Sequence, residues 1–168
     1  MTLSMHQFSA PIFLKTLSNL SAILDKAASF AAGKKIDPSV LLGYRLTPDM
    51  LNLTRQVQIA SDHAKRCVAR LAGLEAPAYE DTESTFPELK ARIDKTAAYI
   101  QTVSPAQMEG AETRNIALKL GGQDRVIPGH TYLSQNALPN FFFHVITAYA
   151  ILRHCGVEIG KGDFLGQI

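Results

Sequence analysis

Apolar residues recur at helical spacing in four stretches of the chain, and each stretch carries punctuation where a helix would start or stop. In the first, Phe13, Leu17, Leu20 and Leu24 fall on one face, followed by Ala27, Ala28 and Ala31. The pattern predicts a helix from about Ser9 to Ala32, with Pro11 in its first turn and Gly33 as its C-cap. A loop containing Asp37, Pro38 and Gly43 follows. Thr47, Pro48 and Asp49 then offer an N-cap, a proline at the first helical position and an acidic first turn. From there Leu53, Val57, Ala60, Ala64, Cys67, Leu71 and Leu74 mark one seam of a second helix that ends near Gly73.

The third helix opens on a capping box, Thr85 with Glu88, and Pro87 lies in its first turn. Leu89, Ile93, Ala97, Ile100 and Val103 form its predicted buried face. A second box, Ser104 with Gln107 and Pro105 between them, predicts a short helical turn that stops near Gly110. Between Asn115 and Ile127 the period switches to two. Ile116, Leu118 and Leu120 share a face, Gly121 to Asp124 supply a turn, and Val126 returns, which predicts a β-hairpin. A last helix spans about Leu133 to His154 and is capped by Gly156. It is nearly all apolar from Phe141 to Leu152 and is expected to be the most buried element. Pro139 is expected to kink it or to mark a fresh start at Asn140. No repeat, low-complexity tract or linker divides residues 1–168. The expected fold is all-α: one domain, an antiparallel four-helix bundle with a small β-hairpin in the connection before the last helix.

Composition narrows the partners. The chain has 168 residues, 46% hydrophobic and 19% charged, which suits a packed core. Net charge is +2 and the 17 Lys and Arg residues are scattered, so no basic stripe awaits a phosphate backbone, and nucleic acid is not an expected partner. The two cysteines, Cys67 and Cys155, lie in apolar helical patterns without CxxC spacing and are expected as reduced, buried thiols. Met1 to Ala10 lacks the charge-then-apolar pattern of a secretory signal, and no run is long and apolar enough for a membrane span, so the expected location is cytoplasmic, with no membrane partner.

Phosphate-loop, nucleophile-elbow and HExxH zinc patterns are absent. Of the five histidines, His6, His130 and His154 read as peripheral. His144 stands inside the run from Phe141 to Ile146 and is expected to be deeply buried, where an imidazole needs a partner. Asn140 lies one turn earlier on the same face, and His63 sits at the inward edge of the second helix. Two readings stand side by side. Inward histidines on different helices are how bundles build metal sites. The more ordinary reading is that each is satisfied as a core residue by a carbonyl, by Tyr149 or Thr147, or by a buried water. Phe141, Phe142 and Phe143 read as core or as interface.

The run Pro139 to His144, Leu152 to Gly156 and Asp163 to Gly166, with Leu20 to Lys26 and Gln56 to Lys65, resembles a domain-of-unknown-function family within the DinB/YfiT-like superfamily. The resemblance covers nearly the whole chain. It implies a four-helix bundle, often dimeric, whose metal-binding members carry one histidine on the second helix and an HxxxH pair on the fourth. His63 matches the first ligand, His144 the second histidine of the pair, and Asn140 stands where the other would be. Val145, Ile146 and Thr147 replace the Arg-Gly-Gln that follows in typical members. The implied site is therefore degenerate. Its metal set is His63, Asn140 and His144, and its cofactor a divalent ion (Zn, Ni or Mn) that is weakly bound or absent. Relatives include metal-dependent thiol transferases and hydrolase-like enzymes; whether this chain is an enzyme is left open, with no catalytic residue assigned. The alternative is a non-catalytic dimeric bundle that binds a small apolar ligand or a protein partner.

Overall fold

The structure, a computed structural model, describes residues 4–167; Met1 to Leu3, Ile168 and the side chain of Leu120 lie outside the described residues. It is mostly helical. Helix α1 covers Ala10–Lys34, α2 Pro38–Leu42, α3 Leu53–Ala72 and α4 Phe86–Gln101. A 3-10 turn, Pro105–Met108, leads to strands β1 (Asn115–Leu120) and β2 (Gln123–Pro128), which pair antiparallel. Helix α5 (Gly129–Tyr132) runs through a π-helical segment, Leu133–Ala137, into α6 (Leu138–His154), and α7 (Lys161–Leu165) follows.

The long helices pack in a ring: α1 lies on α4, α4 on α3, α3 on α6, and α6 returns to α1. Apolar faces at helical spacing meet in the middle. Leu17, Leu20 and Leu24 of α1, Leu89 and Ile93 of α4, Val57, Ala60 and Ala64 of α3, and Val145, Ala148 and Leu152 of α6 all belong to one buried core. Phe13 meets Phe141 edge to face, with ring centroids 4.9 Å apart. Small residues at Ala60 and Ala64 let α6 approach α3, and this is the most extensive helix contact in the molecule.

Several boundaries follow the expected chemistry. Thr85 and Glu88 form a reciprocal capping box, Gly73 closes α3 in the left-handed region, and Gly156 does so after α6. Other boundaries differ. Helix α1 runs past Gly33 and closes at Lys35, whose φ is 57°. The left-handed strain there is offset because the Ile36 amide reaches back to Ala31 O at 2.9 Å and the Ile36 side chain packs on the core. Asp37 and Pro38, expected as loop, cap the short α2, with Asp37 Oδ1 accepting from the Ser39 amide at 2.8 Å. The Thr47 hydroxyl bonds Asp49 at 2.6 Å instead of capping a helix, and α3 starts only at Leu53, capped by Asn52. Leu74 falls beyond that helix and is exposed.

The hairpin turns in two residues, Gly121 and Gly122, whose φ values of 57° and 80° belong to a type I′ turn. Gln123 and Asp124 are already in β2, opposite Leu120 and Lys119. Val126 pairs with Ala117 and points to solvent, whereas Ile116 pairs with Ile127 on the other face. Pro139 explains the π segment before α6. It has no N–H to give to Gln135 O, and its ring would press on that carbonyl; widening the preceding turn relieves both.

Candidate functional site

Helices α3 and α6 bring His63 and His144 together. Their rings lie nearly parallel, 17° apart, with centroids separated by 5.6 Å. Both imidazoles are half-buried, so the deep burial expected for His144 is not observed. Helix α6 is apolar on every side, and its outer face, with Phe143 and Ile146, is exposed; His144 lies at the border between that face and the core.

The partner of His144 is Gln56, one residue before Val57 on the buried side of α3. The Gln56 amide nitrogen donates to Leu51 O at 2.9 Å, which turns its oxygen toward His144 Nδ1, 2.7 Å away. An amide oxygen only accepts, so Nδ1 must carry the proton. Neutral His144 therefore presents Nε2 as a bare lone pair. Burial holds its pKa below the ordinary histidine value. Burial first, then the neighbouring His144 and Arg66, push His63 down to about 4, against the pull of Asp62. Both rings are thus uncharged at neutral pH, the form in which imidazole binds a metal.

Asn140 remains one turn before His144, but its amide nitrogen donates backward to Asn136 O at 2.7 Å, in the π segment. This orientation leaves its carbonyl oxygen as the free end of the amide. Among the described residues, no group of three or more His, Cys, Asp or Glu side chains is gathered to hold a metal. The residues that are present, two neutral imidazoles and an amide oxygen, suit a weak divalent site better than a tight one. Thr147 and Tyr149, named from the sequence as possible partners of His144, are used elsewhere: Thr147 donates to Phe143 O at 2.7 Å, and Tyr149 packs on Phe164. His130 and His154 are exposed and bond Glu112 O and the Tyr44 hydroxyl. Cys67 is buried, which raises its thiol pKa, while Cys155 is only half-buried.

A family model described as "Domain of unknown function (DUF1993)" matches residues 5–165. The chain belongs to this family. Among solved structures, a DinB family member protein from Shewanella denitrificans is 45% identical, superposes with a TM-score of 0.92, and is matched over 97% of this chain and 92% of its own. No curated protein matches the chain. Family and fold are therefore DinB-like, and neither comparison names a reaction.

Sequence reasoning missed Gln56, and also a second polar cluster beside the histidines. Lys65 and Arg92 are almost fully buried. Asp62 accepts from Lys65 at 2.6 Å, Arg66 at 2.8 Å and Arg92 at 2.9 Å, and Arg92 also meets Asp81 and Glu83, both at 3.0 Å. The Tyr79 ring covers Lys65, whose ammonium lies 3.5 Å from the centroid. Asp62 and Lys65 at helical spacing read as a solvated face; burial comes from the segment around Tyr79 to Glu83 folding over them.

Proposed function

We propose that this DinB-like chain is an antiparallel four-helix bundle in which His63, His144 and Asn140 form a weak divalent-metal site, serving a metal-dependent transfer or hydrolysis. The observation that carries the reading is the His144–Gln56 hydrogen bond, with Gln56 itself anchored on Leu51 O. A ligating histidine usually donates its second ring nitrogen to a fixed acceptor, which sets the tautomer and ring orientation. His63, on the facing helix, supplies the second lone pair, and burial keeps both rings neutral. A bound divalent ion would act as a Lewis acid toward water or a thiol at an open position. The chain's own share is to present two oriented, uncharged imidazoles, with the Asn140 oxygen one helical turn away.

The test is elemental analysis of untagged protein after loading with zinc, nickel and manganese. Near-stoichiometric metal is expected in the wild type, with loss in His63→Ala and His144→Ala. Gln56→Leu should weaken metal affinity by about 10- to 100-fold, the usual effect of removing an outer-shell partner. No metal in any loaded wild-type sample sinks the proposal.

A second reading, a non-catalytic homodimer, is favoured by a separate observation. Phe143, Ile146 and Leu165 are 55%, 50% and 49% exposed, so α6 and α7 present apolar side chains outward. A second copy of the chain is the proposed occupant, since a net charge of only +2 sets up little repulsion between copies.

A further inference from the structure

Helix α3 carries a second set of groups on the face that bears His63. Arg66 and Arg70 follow at steps of three and four, so all three lie along one side of α3, with Arg70 two helical turns from His63. Electrostatically the arginines act alike, both opposing a positive charge on His63. Their pairing is unlike. Arg66 is neutralised by Asp62 at 2.8 Å. Arg70 has no carboxylate partner among the described residues; its bond is to the Tyr132 hydroxyl, 3.1 Å from Nη1. Asp62, the acid one turn away from Arg66, already serves Lys65, Arg66 and Arg92.

Tyr132 is the other half of the feature. Its residue is 1% exposed, and its oxygen accepts from Arg70. Its own O–H proton meets no acceptor among the described residues. A half-buried guanidinium without a counter-ion and a buried phenol with an unused donor therefore lie side by side, two turns along α3 from His63. Leaving such donors unpaired costs stability, and an oxyanion would satisfy both.

We propose that Arg70 and Tyr132 form a subsite for the carboxylate of a small-molecule substrate whose reacting end lies at His63 and His144. One unbalanced guanidinium matches a single carboxylate in charge and in planar, two-point geometry, whereas a dianionic phosphate would be only half neutralised. The subsite rests on the metal reading for its catalytic role but not for binding the anion. The carbonyls at the end of its own helix do not compete for Arg70, because those of Ala69 and Arg70 accept from the Leu74 and Gly73 amides and that of Leu71 accepts from Arg114.

Chelator-treated protein is titrated with acetate at constant ionic strength, with chloride as the reference anion, while NMR follows the Arg70 side-chain N–H and the Tyr132 ring. Saturable binding in the millimolar range is expected, weaker by about tenfold or more in Arg70→Gln, as fits the loss of a charge-assisted pair. Tyr132→Phe, which keeps the ring and the packing, should weaken it less but measurably. Inorganic phosphate should bind more weakly than acetate. Failure of the wild type to saturate, or Arg70→Gln titrating like the wild type, overturns the subsite, and tighter binding of phosphate overturns its assignment to a carboxylate. His63→Ala, metal-free, should bind acetate as the wild type does. Acetate binding in a protein that never takes metal would thus refute the metal reading alone, and metal loading without acetate binding would refute the subsite alone.

Discussion

His63 has a half-buried ring, no hydrogen bond to the protein among the described residues, and His144 stacked against it, so protonating it is opposed on two counts. The unfolded chain takes up that proton near the ordinary value of 6.5, and the folded chain only near 4. Between those values the unfolded state binds more protons, so stability is full above pH 6.5 and falls as the pH drops toward 4, by at most about 1.4 kcal/mol per pH unit for one group. Burial lowers His144 in the same sense. Urea unfolding of the chelator-treated protein across this window should show that slope, and His63→Asn should flatten it. An unchanged slope in the variant would mean that His63 titrates normally. Spacing marked both histidines as inward-facing and the family resemblance put them in one site, but the tautomer was not legible. Gln56 reads as one more polar residue on an amphipathic helix, and only the packing of Leu51 O against it turns its oxygen toward His144.

At the scale of elements, the caps and turns were largely readable because they are local. Thr85 with Glu88, Gly73, Gly156 and the Gly121–Gly122 turn each act within a few residues of themselves. The start of α3 was not, because Thr47-Pro48-Asp49 and Asn52 are both competent starts. The choice went to the one that buries Leu53 and lets its amide bond Tyr44 O at 2.9 Å. The segment from Tyr79 to Glu83 is tied to α3 and α4 through Arg92, which bonds Glu80 O at 3.0 Å as well as its acids. Arg92→Ala should destabilise the fold by about 3–5 kcal/mol, because it strands Asp62 and Glu83 with less than their full complement of donors. Lys65→Met should cost under about 1 kcal/mol, since Arg66 and Arg92 still neutralise Asp62 and the methionine can pack on Tyr79. Denaturant unfolding of both variants measures the difference; equal losses would show that the cluster does not depend on Arg92.

For the whole molecule, the apolar run of α6 has two consequences. Its inner side, Phe141, Val145, Ala148 and Leu152, closes the core against α3 and α1, while Phe143 and Ile146 are left outward beside α7. Light scattering should find a dimer in solution, and Ile146→Asp with Phe143→Asp should return it to monomer while leaving the helical circular dichroism unchanged. A wild type that is monomeric at all concentrations would end the dimer reading. Among the described residues no helix is long and apolar enough to cross a membrane. The sequence by itself determined the four long helices, the hairpin and most core-facing residues, because periodicity and capping act over a few residues, while the family resemblance implied that His63 and His144 share a site. Tertiary structure alone decided which polar groups are buried, which tautomer His144 adopts, and that Arg70 faces a phenol instead of an acid. Those outcomes depend on contacts between residues such as Arg70 and Tyr132 that are remote in the chain, and a polar side chain carries no periodic signal of its eventual partner.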